Sequence, residues 1–81
     1  MYTYIGNDII IKNSSIIGIF NIDYVKNTRE FKSLKSSLEE KEKLINVDET
    51  NQKSFILTNN MNETKAYITK INVNTLLKRL V

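Results

Sequence analysis

The chain has 81 residues, contains neither cysteine nor histidine, and carries 12 basic against nine acidic side chains. These counts exclude disulfides, zinc sites of the Cys/His kind, and catalysis by a serine or cysteine nucleophile with a histidine base. The length fits a single domain over residues 1–81. So small a core usually needs a further source of stability. With disulfides and Cys/His zinc sites excluded, self-association is the source that remains. The net charge of +3 is compatible with nucleic acid and equally with an ordinary lysine-rich surface.

The first third of the chain is predicted to form strands, because it is rich in isoleucine and broken by turn-forming residues. Residues 12–15 separate two apolar runs, and we expect these runs to pair as a buried hairpin. Gly18 interrupts the second run, which indicates a bulge or a close approach by another backbone. The predicted strands are residues 2–5, 9–11 and 16–22, with a turn at residues 6–8.

An amphipathic helix is predicted over residues 28–43. Phe31, Leu34 and Leu38 recur at helical spacing, and the residues between them are almost all polar or charged. Asn27 is the expected N-cap, with Glu30 completing a capping box.

The second half of the chain is predicted to add a short strand, a hairpin and a last helix. The strand covers residues 44–47, and the hairpin joins residues 54–58 to 65–69. Val73, Leu76, Leu77 and Leu80 form an apolar stripe on the last helix, with Asn72 or Asn74 as its cap. A helix this short must dock, either on its own sheet or on a neighbouring subunit. The predicted class is α+β: a small, mostly antiparallel sheet with one long helix and one short C-terminal helix.

No enzymatic chemistry is predicted. The acidic candidates Asp8, Asp23, Asp48 and Glu49 stand in turn contexts, where capping and solvation explain them, and no glycine-rich phosphate loop is present. We expect no cofactor and no metal. No stretch approaches the roughly 20 apolar residues of a membrane helix, and no secretion signal is apparent. The sequence therefore predicts a cytoplasmic protein without a membrane partner.

Six short motifs, in order, make the chain similar to a known family. They are Y-I-G (4–6), I-I-G-I-F (16–20), T-R-E-F (28–31), I-N-V (45–47), K-S-F (53–55) and T-L-L-K-R (75–79). Together they resemble the RemB branch of the RemA/RemB family of extracellular-matrix regulators from spore-forming Gram-positive bacteria. The resemblance covers essentially the whole chain.

This resemblance implies a DNA-binding transcriptional regulator of biofilm-matrix genes. Such proteins assemble into rings whose repeated basic faces bind and wrap duplex DNA, with a subunit fold likened to LytTR-type domains. In RemA-like members, the DNA-contacting arginines lie in the loops before two of the strands. Here those loops lack arginine and retain only Lys12 and Lys53 nearby. Lysine holds a phosphate as a point charge but lacks the bidentate fork of arginine, so contacts to the DNA backbone are expected, with little base reading.

Two hypotheses remain. In the first, the chain is a ring-forming regulator that binds double-stranded DNA. The predicted DNA-binding residues are Lys12 and Lys53, together with Lys70, Lys78 and Arg79 from the basic C-terminal quarter, and the predicted oligomer interface is Val73, Leu76, Leu77 and Leu80. In the second, it is a protein-interaction paralogue that co-assembles with another regulator and does not bind DNA itself.

Overall fold

The computed structural model describes residues 1–80, which fold into two sheets and three α-helices. Strands β1 and β2 form a two-stranded antiparallel sheet, and the other strands form a four-stranded sheet in the order β3-β5-β6-β4. The strands are β1 (Tyr2–Gly6), β2 (Ile9–Lys12), β3 (Ile16–Asn21), β4 (Leu44–Asn46), β5 (Ser54–Asn60) and β6 (Glu63–Thr69). The helices are α1 (Ile22–Val25), α2 (Arg29–Glu40) and α3 (Val73–Arg79).

The predicted α+β class is confirmed: β1 and β2 are antiparallel, as are β3, β5 and β6, and only β4 runs parallel to its neighbour β6. The helices differ from the prediction by the addition of α1. None of the helices in residues 1–80 is long and apolar enough to cross a membrane.

The prediction that β2 and β3 form a hairpin is wrong. β2 pairs with β1 through a two-residue turn in which Asn7 and Asp8 both have positive φ, at 48° and 63°. This is the backbone that matches strand twist in a tight hairpin, and Asn and Asp tolerate it. The residues between β2 and β3 instead form a 3-10 helix, Asn13–Ser15, which sends β3 into the other sheet to pair with β5.

The bulge predicted at Gly18 is confirmed. Ile16 pairs with Thr58 and Gly18 with the preceding Leu57, so Ile17 is the extra residue of β3. A Cβ atom on Gly18 would lie 2.9 Å from the Phe20 ring. The glycine therefore leaves room for that aromatic side chain.

The structure differs from the prediction at the end of β3 and at the N-cap of α2. The predicted third strand ends one residue early, because the side chain of Asn21 accepts a hydrogen bond from the Asp23 N–H (2.9 Å) and caps α1. Thr28, not Asn27, caps α2, accepting from the Phe31 N–H at 3.2 Å. This one-residue shift moves Glu30 out of the capping-box position, so that prediction is wrong.

Helix α2 ends at Glu40, three residues earlier than predicted, in a Schellman motif. The Lys43 N–H donates to the Leu38 carbonyl (2.8 Å), and the Glu42 N–H donates to the Glu39 carbonyl (3.1 Å). Glu42 takes the left-handed position of this motif with φ 58°, where glycine is the usual residue.

The C-terminal half follows the prediction closely. β5 and β6 pair through a two-residue turn at Met61 and Asn62, both with positive φ, so the strands are longer than expected. Asn72 caps α3 by accepting from the Thr75 N–H at 2.9 Å.

The four-stranded sheet lies between two apolar layers. On one face, α2 packs Leu38, Phe31 and Leu34 against Phe55 and Ile68. On the other face lie the β1-β2 hairpin and α3, whose buried members include Ile5, Ile11 and Leu76, packed with Ile56 of β5. Alternation along β5 supplies both cores, since Phe55 faces α2 and Ile56 faces the hairpin.

The Thr69 hydroxyl and the Asp48 carboxylate form hydrogen bonds that join the two sheets to each other and to the residues just before α3. The fully buried Thr69 donates to the Ile5 carbonyl at 2.7 Å, and its oxygen lies 3.2 Å from the Ile71 N–H. Asp48 accepts from the Lys70 N–H at 2.9 Å. Asp48 thus has a structural part, as its turn context indicated.

Candidate nucleic-acid interface

The two loop lysines lie at opposite ends of β5. Lys12 ends β2 and lines a cavity with Thr58, near the far end of β5. Lys53 immediately precedes the first residue of that strand. Thr58 lies five positions after Lys53 along the extended chain, a span of about 17 Å. The fold of the chain therefore does not bring Lys12 and Lys53 together.

The cavity beside Lys12 has a volume of about 170 Å³ and opens between the two sheets. The hydroxyl of Ser15 donates to the Lys12 carbonyl at 2.7 Å, which fixes the turn next to the lysine. The rest of the lining is mostly polar, with two isoleucines. The polar residues are Thr58, Asn60, Glu63, Lys65 and Tyr67, and the apolar ones are Ile10 and Ile11.

A cluster of three charges stands at this cavity. Glu63 binds Lys43 through one carboxylate oxygen and lies 3.4 Å from the Lys65 Nζ through the other. The hydrogen bond and charge of Lys43, followed by those of Lys65, hold the pKa of Glu63 below its ordinary value. Glu63 therefore stays ionised at neutral pH.

Lys65 is a site residue that sequence reasoning missed. Alternation along β6 places Glu63, Lys65 and Tyr67 on one face, and that signal was readable. The proximity of this face to Lys12 was not readable, because it depends on how the β1-β2 hairpin packs over the larger sheet.

The second basic group is Lys53 with Lys70. The Lys53 N–H donates to the Thr69 carbonyl at 2.9 Å, and its carbonyl accepts from the Ile22 N–H at 3.0 Å. Lys70 follows Thr69, so the two lysines are neighbours. Both are exposed, and neither forms an ion pair within residues 1–80. Their ammonium groups are free to meet an anion.

Apart from Lys53, the loop before β5 contains no cation. Gln52 donates to the Asp48 carbonyl at 2.9 Å, and Asn51 has φ 55°. Thr50 and Asn51 are exposed, so this loop offers neutral polar groups beside Lys53.

The two cations of α3 have different surroundings. Arg79 donates to the Tyr4 carbonyl at 3.0 Å, and its guanidinium lies 5.7 Å from the centroid of the Tyr4 ring. Arg79 thus attaches α3 to β1, while Lys78 is exposed.

A family model matches nearly the whole chain and identifies the family to which it belongs. Residues 3–80 match the model of the RemA-like family, described as extracellular matrix regulatory protein A-like. The chain belongs to the RemA-like family. A search of curated proteins found no match for it.

In this RemA-like chain, the apolar stripe of α3 is divided between the subunit core and the surface. Leu76 is 1% exposed and belongs to the core beneath the hairpin. Leu77 is 48% exposed, and Val73 and Leu80 are partly exposed. The surface of α3 therefore offers Leu77 and the edges of Val73 and Leu80, whereas Leu76 is already covered.

Further apolar side chains of the RemA-like subunit face outward. Ile17 and Phe20 are exposed on β3, an outer strand of its sheet, and Tyr2, Tyr4 and Ile10 are exposed on the hairpin. Phe20 also borders an apolar cavity of about 230 Å³ beside α1 and α2. The cavity lining is Phe20, Val25, Thr28, Glu30, Phe31, Leu34 and Phe55.

Proposed function

We propose that this chain is a RemB-like, DNA-binding transcriptional regulator of extracellular-matrix genes that works in the cytoplasm as a ring-shaped homo-oligomer. It belongs to a family of extracellular-matrix regulatory proteins. The observation that carries the DNA-binding part is the placement of exposed lysines toward opposite ends of β5. Lys12 stands at one end, and Lys53 with Lys70 at the other.

The lysine groups are suited to phosphates rather than bases. A lysine ammonium is a compact charge on a flexible stem, and it lacks the paired donors with which arginine reads guanine. The two lysine groups lie toward opposite ends of β5, so they would meet different phosphates. The expected binding is therefore tolerant of sequence and strongly dependent on salt.

Assembly turns weak contacts into useful affinity. One subunit neutralises few phosphates, but a ring presents the same lysines many times at high effective concentration. The exposed apolar residues Ile17, Phe20 and Leu77 offer surface that neighbouring subunits can bury. Such burial would also stabilise a small core.

A second candidate function is co-assembly with a paralogous regulator without direct DNA contact. The specific observation in its favour is the apolar cavity beside Phe20, together with the absence of any cation in residues 50–52. An apolar surface of this kind favours protein contact over contact with a phosphate backbone.

The deciding experiment is light scattering of the purified protein, with and without a long duplex, at low and at raised salt. The DNA-binding function predicts a closed oligomer that binds the duplex and releases it as salt rises. An oligomer that ignores DNA even at low salt would refute that function and favour the paralogue.

A matched pair of variants makes the test specific. Lys12→Ala with Lys53→Ala removes two charges from the proposed interface, and Lys32→Ala with Lys41→Ala removes two exposed charges from α2 and its end. The first pair should flatten the salt slope by about two units for every subunit in contact, uniformly across DNA sequences. Equal losses in both pairs would mean that only net charge matters.

A further inference from the structure

We propose that the cavity beside Lys12 binds a phosphate group, with Lys65 as a second cationic ligand and Glu63 as an internal counter-charge that the phosphate displaces. As a DNA contact, this site rests on the proposed function and deepens it. As a phosphate site, it stands on the geometry of the cavity.

The cavity brings together cations from separate parts of the chain. Lys12 comes from the end of β2, Lys65 from β6, and Lys43 from the residue before β4. Lys12 and Lys65 line the cavity with Glu63, and Lys43 binds that carboxylate from outside the lining, so three positive charges accompany one negative charge in this region. A volume of about 170 Å³ equals that of five or six waters, which is ample for a tetrahedral anion.

The rest of the lining suits an oxyanion rather than an apolar ligand. Asn60 adds an amide, and Tyr67 adds a phenol, each able to donate to a phosphate oxygen. The Ser15 hydroxyl donates to the Lys12 carbonyl and so fixes the backbone from which the Lys12 side chain extends.

Glu63 sets how strongly the cavity attracts an anion. Its two oxygens bind Lys43 and Lys65, and about half of its side chain is exposed. A phosphate entering beside Lys12 competes with this carboxylate for the Lys65 ammonium, which lies 3.4 Å from it. The carboxylate therefore lowers the affinity of the cavity, and its removal should raise it.

The first arm measures binding of a fluorescent duplex to the full chain by anisotropy at several salt concentrations. Glu63→Gln should tighten binding about fourfold at each contacting subunit, the factor for removing a unit charge about 5 Å from a phosphate in water. Lys65→Ala should weaken binding about as much as Lys12→Ala, and Lys65→Arg should retain it. Lys32→Ala, with the same loss of charge on α2, is the control.

The gain from Glu63→Gln protects the test from misfolding, because an unfolded variant cannot bind more tightly. If Glu63→Gln leaves affinity unchanged and Lys65→Ala behaves like Lys32→Ala, while the wild type binds DNA, the cavity is refuted as a DNA contact and the proposed function stands.

The second arm titrates inorganic phosphate and follows backbone amide shifts by NMR. Shifts at Lys12, Ser15, Asn60 and Lys65 in a wild type that ignores DNA would support the cavity as a site for free phosphate and refute the proposed function. The same shifts, with DNA affinity unaffected by the Glu63 and Lys65 variants, would likewise assign it to free phosphate. Absence of shifts at these amides, together with unchanged DNA affinity in the variants, would overturn the proposal.

Discussion

Replacing Glu42 by glycine is predicted to stabilise the folded chain by about 1 kcal/mol. Glu42 holds φ 58° at the end of α2, where a side chain costs about 1–2 kcal/mol that glycine avoids. The greater freedom of glycine in the unfolded chain offsets about 0.5–1 kcal/mol of this stabilisation. Removing a negative charge from the helix C-terminus adds about 0.3 kcal/mol at an exposed position.

Thermal unfolding followed by circular dichroism measures this gain. For a domain of this size, 1 kcal/mol corresponds to a rise of about 4–8 °C in Tm. Protein concentration must be the same for all variants, because self-association would shift the transition.

Glu42→Ala is the control that separates the two causes. Alanine removes the charge but keeps a Cβ atom at positive φ, so only the small electrostatic part of the gain is expected. If Glu42→Ala stabilised as much as Glu42→Gly, or if Glu42→Gly gave no gain, the reasoning from the left-handed backbone would be refuted.

Three further predictions concern the core, the sheet junction and acid. Phe55→Ala should cost about 3–5 kcal/mol, a large part of a total stability of about 4–12 kcal/mol, so circular dichroism should show a strongly lowered Tm or an unfolded chain; a cooperative transition near the wild-type Tm would contradict it. Asp48→Ala should lower the free energy of unfolding in urea by about 1–3 kcal/mol through loss of its 2.9 Å backbone bond, whereas the adjacent Glu49→Ala should change little. Because Lys43 lowers the pKa of folded Glu63, its stabilisation is present above the ordinary value of 4.5 and lost as pH falls through the lower folded pKa. Glu63→Gln should therefore be less sensitive to acid in urea titrations across this range, and parallel curves would contradict it.

Local patterns predicted most of the elements. The apolar repeat of Phe31, Leu34 and Leu38 marked α2, and alternation marked β5 and β6, because burial of one face dictates those periods. Asn72 was a readable cap because its side chain bonds the first turn directly. Helix α1 was missed because four residues carry no periodic signal.

The partner of β2 depended on competition between two turns. The isoleucines of this region suit either pairing, so the apolar pattern does not choose between them. The choice follows from Asn7 and Asp8, which form a two-residue turn at positive φ, whereas residues 13–15 wind into a helical turn.

The candidate site was predictable only in part. Lys12 and Lys53 were identified through their loops, and their separation at opposite ends of β5 emerged only from strand register. Lys65 joins Lys12 across two sheets, and no pattern within either strand encodes that packing.

The extra residue of β3 also bears on the solubility of the chain. An outer strand reading I-I-G-I-F, if flat, would be a template on which strands of other molecules could stack into aggregates. The bulge at Ile17 interrupts the regular hydrogen-bond pattern of β3 and increases the local twist of the strand. An incoming strand therefore meets a regular edge over only residues 18–21. The bulge beside Gly18 therefore discourages uncontrolled strand addition.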